Sequence, residues 1–390
     1  MKILRVITSM NPKSGGPCQG IRNSIPHINK LGIVNEVVCM DNQSVRYDTN
    51  DNFIIHKIGK GKTSYQYQPL LYNWLINNAL NYDCVIVQGL WQYHNLAVYN
   101  AIKFLKRKNV KVPKVVIMPH GMLDPYFQKA SDRKWKALRN EIVWRFLEKK
   151  CINQAEALFF TCQEELNLAS TTFKGYNPKK TMNVGYGIQA PPENNFEFKK
   201  AFEQKCSTIQ GKKYWLFLSR IHEKKGVDLL IKAYDIICQQ NSSLPELVIA
   251  GPTDSHYAQE MIALTTHNPK IHFSGMLQGD AKWGAFYGCE IYLLPSYQEN
   301  FGIAIVEAMA CKKPVLISKN INIWKEIEDG DGGWILNELN INSIKEQLLN
   351  ISFIDNEVII TRGENANNVY KNEFDVENCA DVFVNALKTL

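Results

Sequence analysis

The chain has 390 residues, too many for one ordinary hydrophobic core, so two domains are expected. Hydrophobic residues at 45% and charged residues at 21% are those of a globular protein, and no apolar run nears the roughly 20 residues of a membrane-spanning helix. The formal charge of +7 is mild and has no basic tract of nucleic-acid type behind it, which disfavours DNA or RNA and leaves an anionic small substrate or a membrane surface.

The segment from Met1 to Ser9 reads as a first strand rather than a signal segment and predicts a cytoplasmic protein. Short β-branched runs then alternate with helical patterns. Ile3 to Thr8, Glu36 to Cys39, Cys84 to Val87, Val115 to Met118 and Leu158 to Thr161 predict the buried parallel strands of a doubly wound sheet. The polar, proline-containing stretch Gln189 to Asn195 suits a linker. Beyond it the grammar repeats, with strands expected at Trp215 to Leu218, Leu247 to Ala250, Ile271 to Phe273, Ile291 to Leu294 and Val315 to Ile317, and Trp334 to Leu336 is strand-like. Val376, Ala380, Phe383, Val384 and Leu387 fall at helical spacing and predict a terminal helix. The expected division is 1–190, 191–370, and a helix in 371–390 that can return to the first domain. Ten scattered cysteines without a C-x-x-C pair argue against a disulfide scaffold or a structural zinc site and for a reducing compartment.

Chemistry concentrates in two strand-to-helix loops. In Pro295 to Ala310 a strand gives way to a helix, where free backbone amides of Asn300, Phe301 and Gly302 can meet an anion. Glu307 lies about two turns beyond Glu299, so both carboxylates can face one cleft and suit sugar hydroxyls. Glu307 sits among Ile303, Ala304, Ile305, Val306, Ala308 and Met309, a setting in which an idle carboxylate is costly, and a ribose hydroxyl would satisfy it. The second loop, Leu218 to Leu230, places Arg220, Lys225 and Gly226 in a turn before a helix. Fixed cations there would stabilise the charge growing on a departing nucleoside diphosphate.

These residues resemble the retaining glycosyltransferases of family four, the "group 1" enzymes of the GT-B fold. Glu299 and Glu307 stand at the glutamates of the E-x7-E motif, and Arg220 and Lys225 at the Arg and Lys of the G-R-x4-K-G loop, with Ser219 where the family has Gly. The resemblance extends to Gly15-Gly16-Pro17, His120 to Asp124, Ala250-Gly251 and Gly275-Met276-Leu277. It implies an α/β protein of two doubly wound Rossmann-like domains facing across a cleft. It implies that Glu307 holds the ribose and Glu299 the transferred sugar, assisted by amides near Phe301 and Gly302. Arg220 and Lys225 would hold the diphosphate, Gly15 and Gly16 would let backbone approach the phosphates or acceptor, His120 would touch the transferred sugar, and Gly251 and Leu277 would lie on the donor side.

The expected reaction is transfer with retention from a nucleotide-diphosphate sugar, without metal or cofactor, to a glycan or lipid-linked acceptor entering over the first domain. Front-face attack, with the departing phosphate taking the acceptor proton, fits the lack of a convincing nucleophile. Rivals are a synthase-type transferase with a soluble sugar acceptor, a catalytically silent sugar-nucleotide-binding subunit, and a nicotinamide dehydrogenase. The last is disfavoured because the first loop lacks G-x-G-x-x-G. Asp329-Gly330-Asp331 matches a D-x-D metal pattern but reads as turn chemistry before a strand. Between Asp132 and Cys151 seven basic residues share a helix with Trp135, Leu138, Ile142, Trp144 and Phe146. The favoured reading is a core-facing apolar stripe with a solvated basic face; the other is an acceptor-side or anionic-lipid surface at the inner face of the membrane.

Overall fold

The computed structural model describes residues 1–130, 133–241 and 243–390. The chain divides into two compact units, Met1–Gly187 with Val376–Leu390, and Ile188–Asp375. In the first, β1 (Lys2–Ile7), β2 (Val34–Cys39), β3 (Ile55–Lys57), β4 (Cys84–Gln88), β5 (Lys114–Met118), β6 (Ala157–Phe160) and β7 (Thr181–Asn183) form one parallel sheet in the order β3-β2-β1-β4-β5-β6-β7. Side chains of successive residues leave a strand on opposite faces, so these runs feed two cores. Leu4, Val6, Val85, Val87, Ile117 and Leu158 pack on one face with the helix Tyr93–Lys106. Ile3, Cys84, Ile86, Val116 and Phe159 pack on the other with Ala380, Phe383 and Leu387 of the terminal helix Val376–Lys388.

The second unit holds β8 (Tyr214–Leu218), β9 (Glu246–Ala250), β10 (Ile271–Gly275), β11 (Ile291–Leu294), β12 (Val315–Ser318) and β13 (Gly333–Leu336), again all parallel, in the order β10-β9-β8-β11-β12-β13. Trp215, Phe217, Tyr234, Phe286 and Tyr292 are its largest fully buried side chains. In both sheets the order reverses beside the first strand, at β1/β4 and at β8/β11. Ligands of open α/β sheets bind beyond the carboxyl ends of the strands at such a reversal.

Two expectations change. The short strands β3 and β7 were not foreseen, because neither carries a buried β-branched run. The helix expected across 132–151 runs as Lys134–Val143, a π-helical turn Trp144–Glu148 and Lys149–Gln154, with Asp132 outside the described residues. Its apolar stripe does not face the core. Trp135, Leu138, Ile142 and Phe146 are 85%, 53%, 52% and 63% exposed, and Asn140, Trp144 and Glu148 point inward instead. Trp144 fixes this orientation by stacking on Phe173 at 4.7 Å and donating from Nε1 to the Lys174 carbonyl at 3.1 Å. No helix among the described residues is long and apolar enough to cross a membrane.

Candidate active site

The β8/β11 reversal brings two expected motifs together within the second unit. After β8 the chain makes the short turn Glu223–Lys225, capped by His222 Nδ1, which accepts from the Lys224 amide at 3.1 Å. Gly226 then takes a left-handed conformation (φ 65°) and starts the helix Val227–Gln240. A Cβ on Gly226 would lie 2.0 Å from the Pro295 carbonyl oxygen, so the two loops meet backbone to backbone. Tyr297 N donates to the Lys224 carbonyl at 2.8 Å and Ser296 Oγ to the same oxygen at 2.9 Å.

This bracing turns the Lys225 side chain inward, where it is 8% exposed and ion-paired with Glu299. Burial, with Lys224 and Arg220 nearby, pushes the Lys225 ammonium down to about 7, while the Glu299 carboxylate opposes that shift. Glu299 is held in turn by the loop after β12: its amide donates to the Asn320 carbonyl at 3.2 Å and its carbonyl accepts from Asn322 N at 3.0 Å. Arg220 stands exposed on the same loop with no ion pair among the described residues. The arrangement is a fixed buried cation beside a free, exposed one.

Glu307 sits elsewhere on the site and has a partner the sequence did not disclose. Its Oε1 accepts from Lys282 Nζ at 2.8 Å, on the helix Gly279–Gly288, so a lysine already partners the carboxylate for which the sequence suggested a ribose hydroxyl. Gly302, at φ 81°, caps the helix Ile303–Ala310, and a Cβ there would meet Ile305 Cδ1 at 2.5 Å. Phe301 is buried, edge-on to Phe374 at 5.3 Å, and Asn300 Oδ1 accepts from Asn322 at 3.3 Å. Gly251 packs backbone on backbone, since a Cβ would fall 2.1 Å from the Ser219 carbonyl, and the Leu277 side chain is buried. Asp331 of the D-x-D pattern pairs with Arg362 Nη2 at 2.7 Å in a turn after the helix Trp324–Asp329.

Gly15, Gly16 and His120 belong to the first unit. Gly15 (φ 93°) caps the helix Gly16–Lys30 with open space where a side chain would stand. His120 (φ 53°) follows β5, and its Nε2 lies 2.6 Å from Gln88 Oε1, which leaves Nδ1 as an acceptor in the neutral ring. Burial first, then the nearby Arg5 guanidinium, lowers the imidazole to about 4, so it is uncharged at neutral pH. Gln88 and Arg5 carried no motif signal, because Gln88 meets His120 from the adjacent strand β4 and Arg5 acts on it electrostatically from β1, one strand further away.

Residues 198–372 match the sequence model of the family described as "Glycosyl transferases group 1". An uncharacterised glycosyltransferase of Methanocaldococcus jannaschii is 30% identical over 167 residues, 43% of this chain and 45% of that protein. The O-antigen chain mannosyltransferase B of Escherichia coli is 24% identical over 181 residues, 45% of this chain and 46% of that one. The matched stretch thus spans under half the length of these relatives. The crystal structure of Anabaena HepE in complex with UDP-glucose superposes with a TM-score of 0.75 over 100% of both chains at 19% identity. The chain therefore has the GT-B fold throughout, and its residues 198–372 form the part that the glycosyl transferases group 1 model describes.

Proposed function

We propose that the chain is a glycosyltransferase that moves a hexosyl group, with retention, from a nucleoside-diphosphate sugar to a glycan or lipid-linked acceptor. The observation that carries this reading is the ion pair of buried Lys225 with half-buried Glu299 at the β8/β11 reversal, with Arg220 exposed beside it. The diphosphate competes with Glu299 for the Lys225 ammonium, and the displaced carboxylate is then available to sugar hydroxyls. Glu307, oriented by Lys282, accepts hydroxyls of the ribose. The first unit takes the acceptor, with Gly15 and Gly16 at its helix N-terminus and the neutral His120 as a hydrogen-bonding group.

In the reaction the bond from the sugar C1 to the β-phosphate oxygen breaks and its electron pair leaves with the phosphate. The acceptor oxygen forms its bond to C1 on the same face, and its proton passes to the departing phosphate oxygen. Charge grows on the diphosphate as this happens, where a preorganised cation acts most strongly. Lys225 and Arg220 supply that charge without a metal, and the engagement of Asp331 by Arg362 supports the same view. The ten cysteines, all without disulfide partners, fit a cytoplasmic enzyme.

The test follows release of nucleoside diphosphate from uridine, guanosine and adenosine diphosphate sugars, with and without excess EDTA. Chelator-resistant release from one donor is expected. Complete loss in EDTA, restored by magnesium or manganese, would overturn the metal-free assignment, and no release from any donor would overturn the enzyme.

A further inference from the structure

We propose that the outward face of the helical segment 134–154 docks the protein on an anionic phospholipid surface. Trp135, Leu138, Ile142 and Phe146 recur at intervals of three, four and four residues, which at about 100° per residue confines them to an arc of about 80°. All four project into solvent, Trp135 at 85% exposure. A lone exposed apolar residue is ordinary, but a contiguous stripe of four on one helix is the mark of an interaction surface. Elsewhere in this unit the same spacing faces inward: the helix Tyr93–Lys106 buries Ala97, Val98, Ala101, Ile102 and Leu105.

The orientation is built in. Trp144 and Glu148 face the unit's interior, Trp144 wedged on Phe173 and Glu148 accepting from the Trp91 amide at 2.8 Å. With that side anchored, the opposite stripe is left outside.

The charge around the stripe names the occupant. Lys134 and Arg145 flank it on one side and Lys136 and Arg139 on the other, with Lys149 and Lys150 following. None of these six forms an ion pair among the described residues. Glu141 is the one acidic side chain exposed between residues 133 and 150. Aromatic and aliphatic side chains between two basic rows fit a surface with acyl chains beneath and negative headgroups beside, where the apolar face inserts and the cations stay with the phosphates. A protein partner would have to offer an apolar groove rimmed with acids; a bilayer offers both layers everywhere.

The proposal needs no donor or acceptor, so its failure and that of the transfer reading are separate results. The experiment sediments the full chain with vesicles of phosphatidylcholine alone and of phosphatidylcholine with phosphatidylglycerol, at low and high salt. Binding to the anionic vesicles, weakened by salt and absent on the neutral ones, is expected. Trp135→Ser/Phe146→Ser should weaken it about tenfold or more, and Lys134→Gln/Lys136→Gln/Arg139→Gln about fivefold per cation removed. These side chains lie in solvent, so thermal melts of the variants should match the wild type. Lack of sedimentation, equal binding to both vesicles, or variants that bind as the wild type does would each overturn the proposal. So would a concentration-dependent dimer that the Trp135→Ser/Phe146→Ser variant abolishes without any vesicle binding, which would make the stripe an interface between copies.

Discussion

The two strand-order reversals share one topology and differ in chemistry. At β1/β4 the two loops are joined by a hydrogen bond between neutral side chains, Thr8 Oγ1 donating to Gln92 Oε1, while charged groups hold the backbone of the first loop: Asp41 Oδ2 accepts from Met10 N at 2.8 Å and Arg22 Nη2 donates to the Met10 carbonyl at 2.6 Å. At β8/β11 the corresponding loops are tied by charge, Lys225 to Glu299, and by two hydrogen bonds onto the Lys224 carbonyl. The two reversals thus differ in the link between their loops, a hydrogen bond of neutral side chains at the first and a lysine–glutamate ion pair at the second. In the proposed reaction the diphosphate lies at the second, where the Lys225 cation would meet its growing charge.

The sharpest way to break this comparison uses two glycines with positive φ. Gly226→Ala would push a Cβ into the Pro295 carbonyl and strain the backbone, costing about 4 kcal/mol and pulling Lys225 from Glu299. Gly15→Ala meets open space and should cost only its backbone strain, about 1–2 kcal/mol. Thermal or urea unfolding reads both. Equal costs would mean that the β8/β11 loops are not locked together as described.

The buried charges of the two units supply the next test. Lys225 has a counter-ion, whereas Glu148 in the first unit is buried with Oε2 lacking a hydrogen-bond partner, and burial pushes its carboxyl up to about 8. The folded state therefore holds a proton that the unfolded chain releases near 4.5. Its stabilisation is complete below about 4.5 and is lost as pH rises through about 8. Glu148→Gln should flatten that decline and leave the variant more stable at pH 8, by up to about 3 kcal/mol. Melting curves across this range check it, and parallel curves for variant and wild type would show that Glu148 is already ionised.

Within the second unit, Glu307→Ala should weaken binding of the bare nucleoside diphosphate, by about 1–3 kcal/mol for a charged hydrogen-bond acceptor, whereas Glu299→Ala should mainly lower turnover. Calorimetry and steady-state kinetics separate the two. Wild-type affinity in both variants would mean that the carboxylates do not divide the donor in this way.

Much of this was legible in the sequence. Runs such as Cys84 to Val87 and Ile291 to Leu294 announce buried parallel strands because both of their faces must be apolar. Arg220, Lys225, Glu299 and Glu307 stood out because two loops of the same design carry them. What escaped is what long-range packing decides. Lys282 meets Glu307 across 25 residues, and Gln88 meets His120 across 32. The stripe at Trp135 to Phe146 was read inside out, because helical spacing shows that a face exists and not which way it turns. That choice was made by Trp144 against Phe173, a contact no local pattern contains.

In the proposed reaction the Lys225 ammonium, fixed by the β8/β11 loops, stabilises the departing diphosphate, and two adjacent lysines put that role to the test. Steady-state kinetics of Lys225→Ala and Lys224→Ala, with circular dichroism to confirm folding, compare the same loss of charge one residue apart. Lys224 serves the loop through its backbone carbonyl, which alanine retains. Lys225→Ala should lower turnover roughly 10²- to 10³-fold, more than it lowers donor affinity, or about 3–4 kcal/mol of barrier. Lys224→Ala should stay near wild type. Equal losses at the two positions, or none at either, would contradict the assignment of this loop as the diphosphate site.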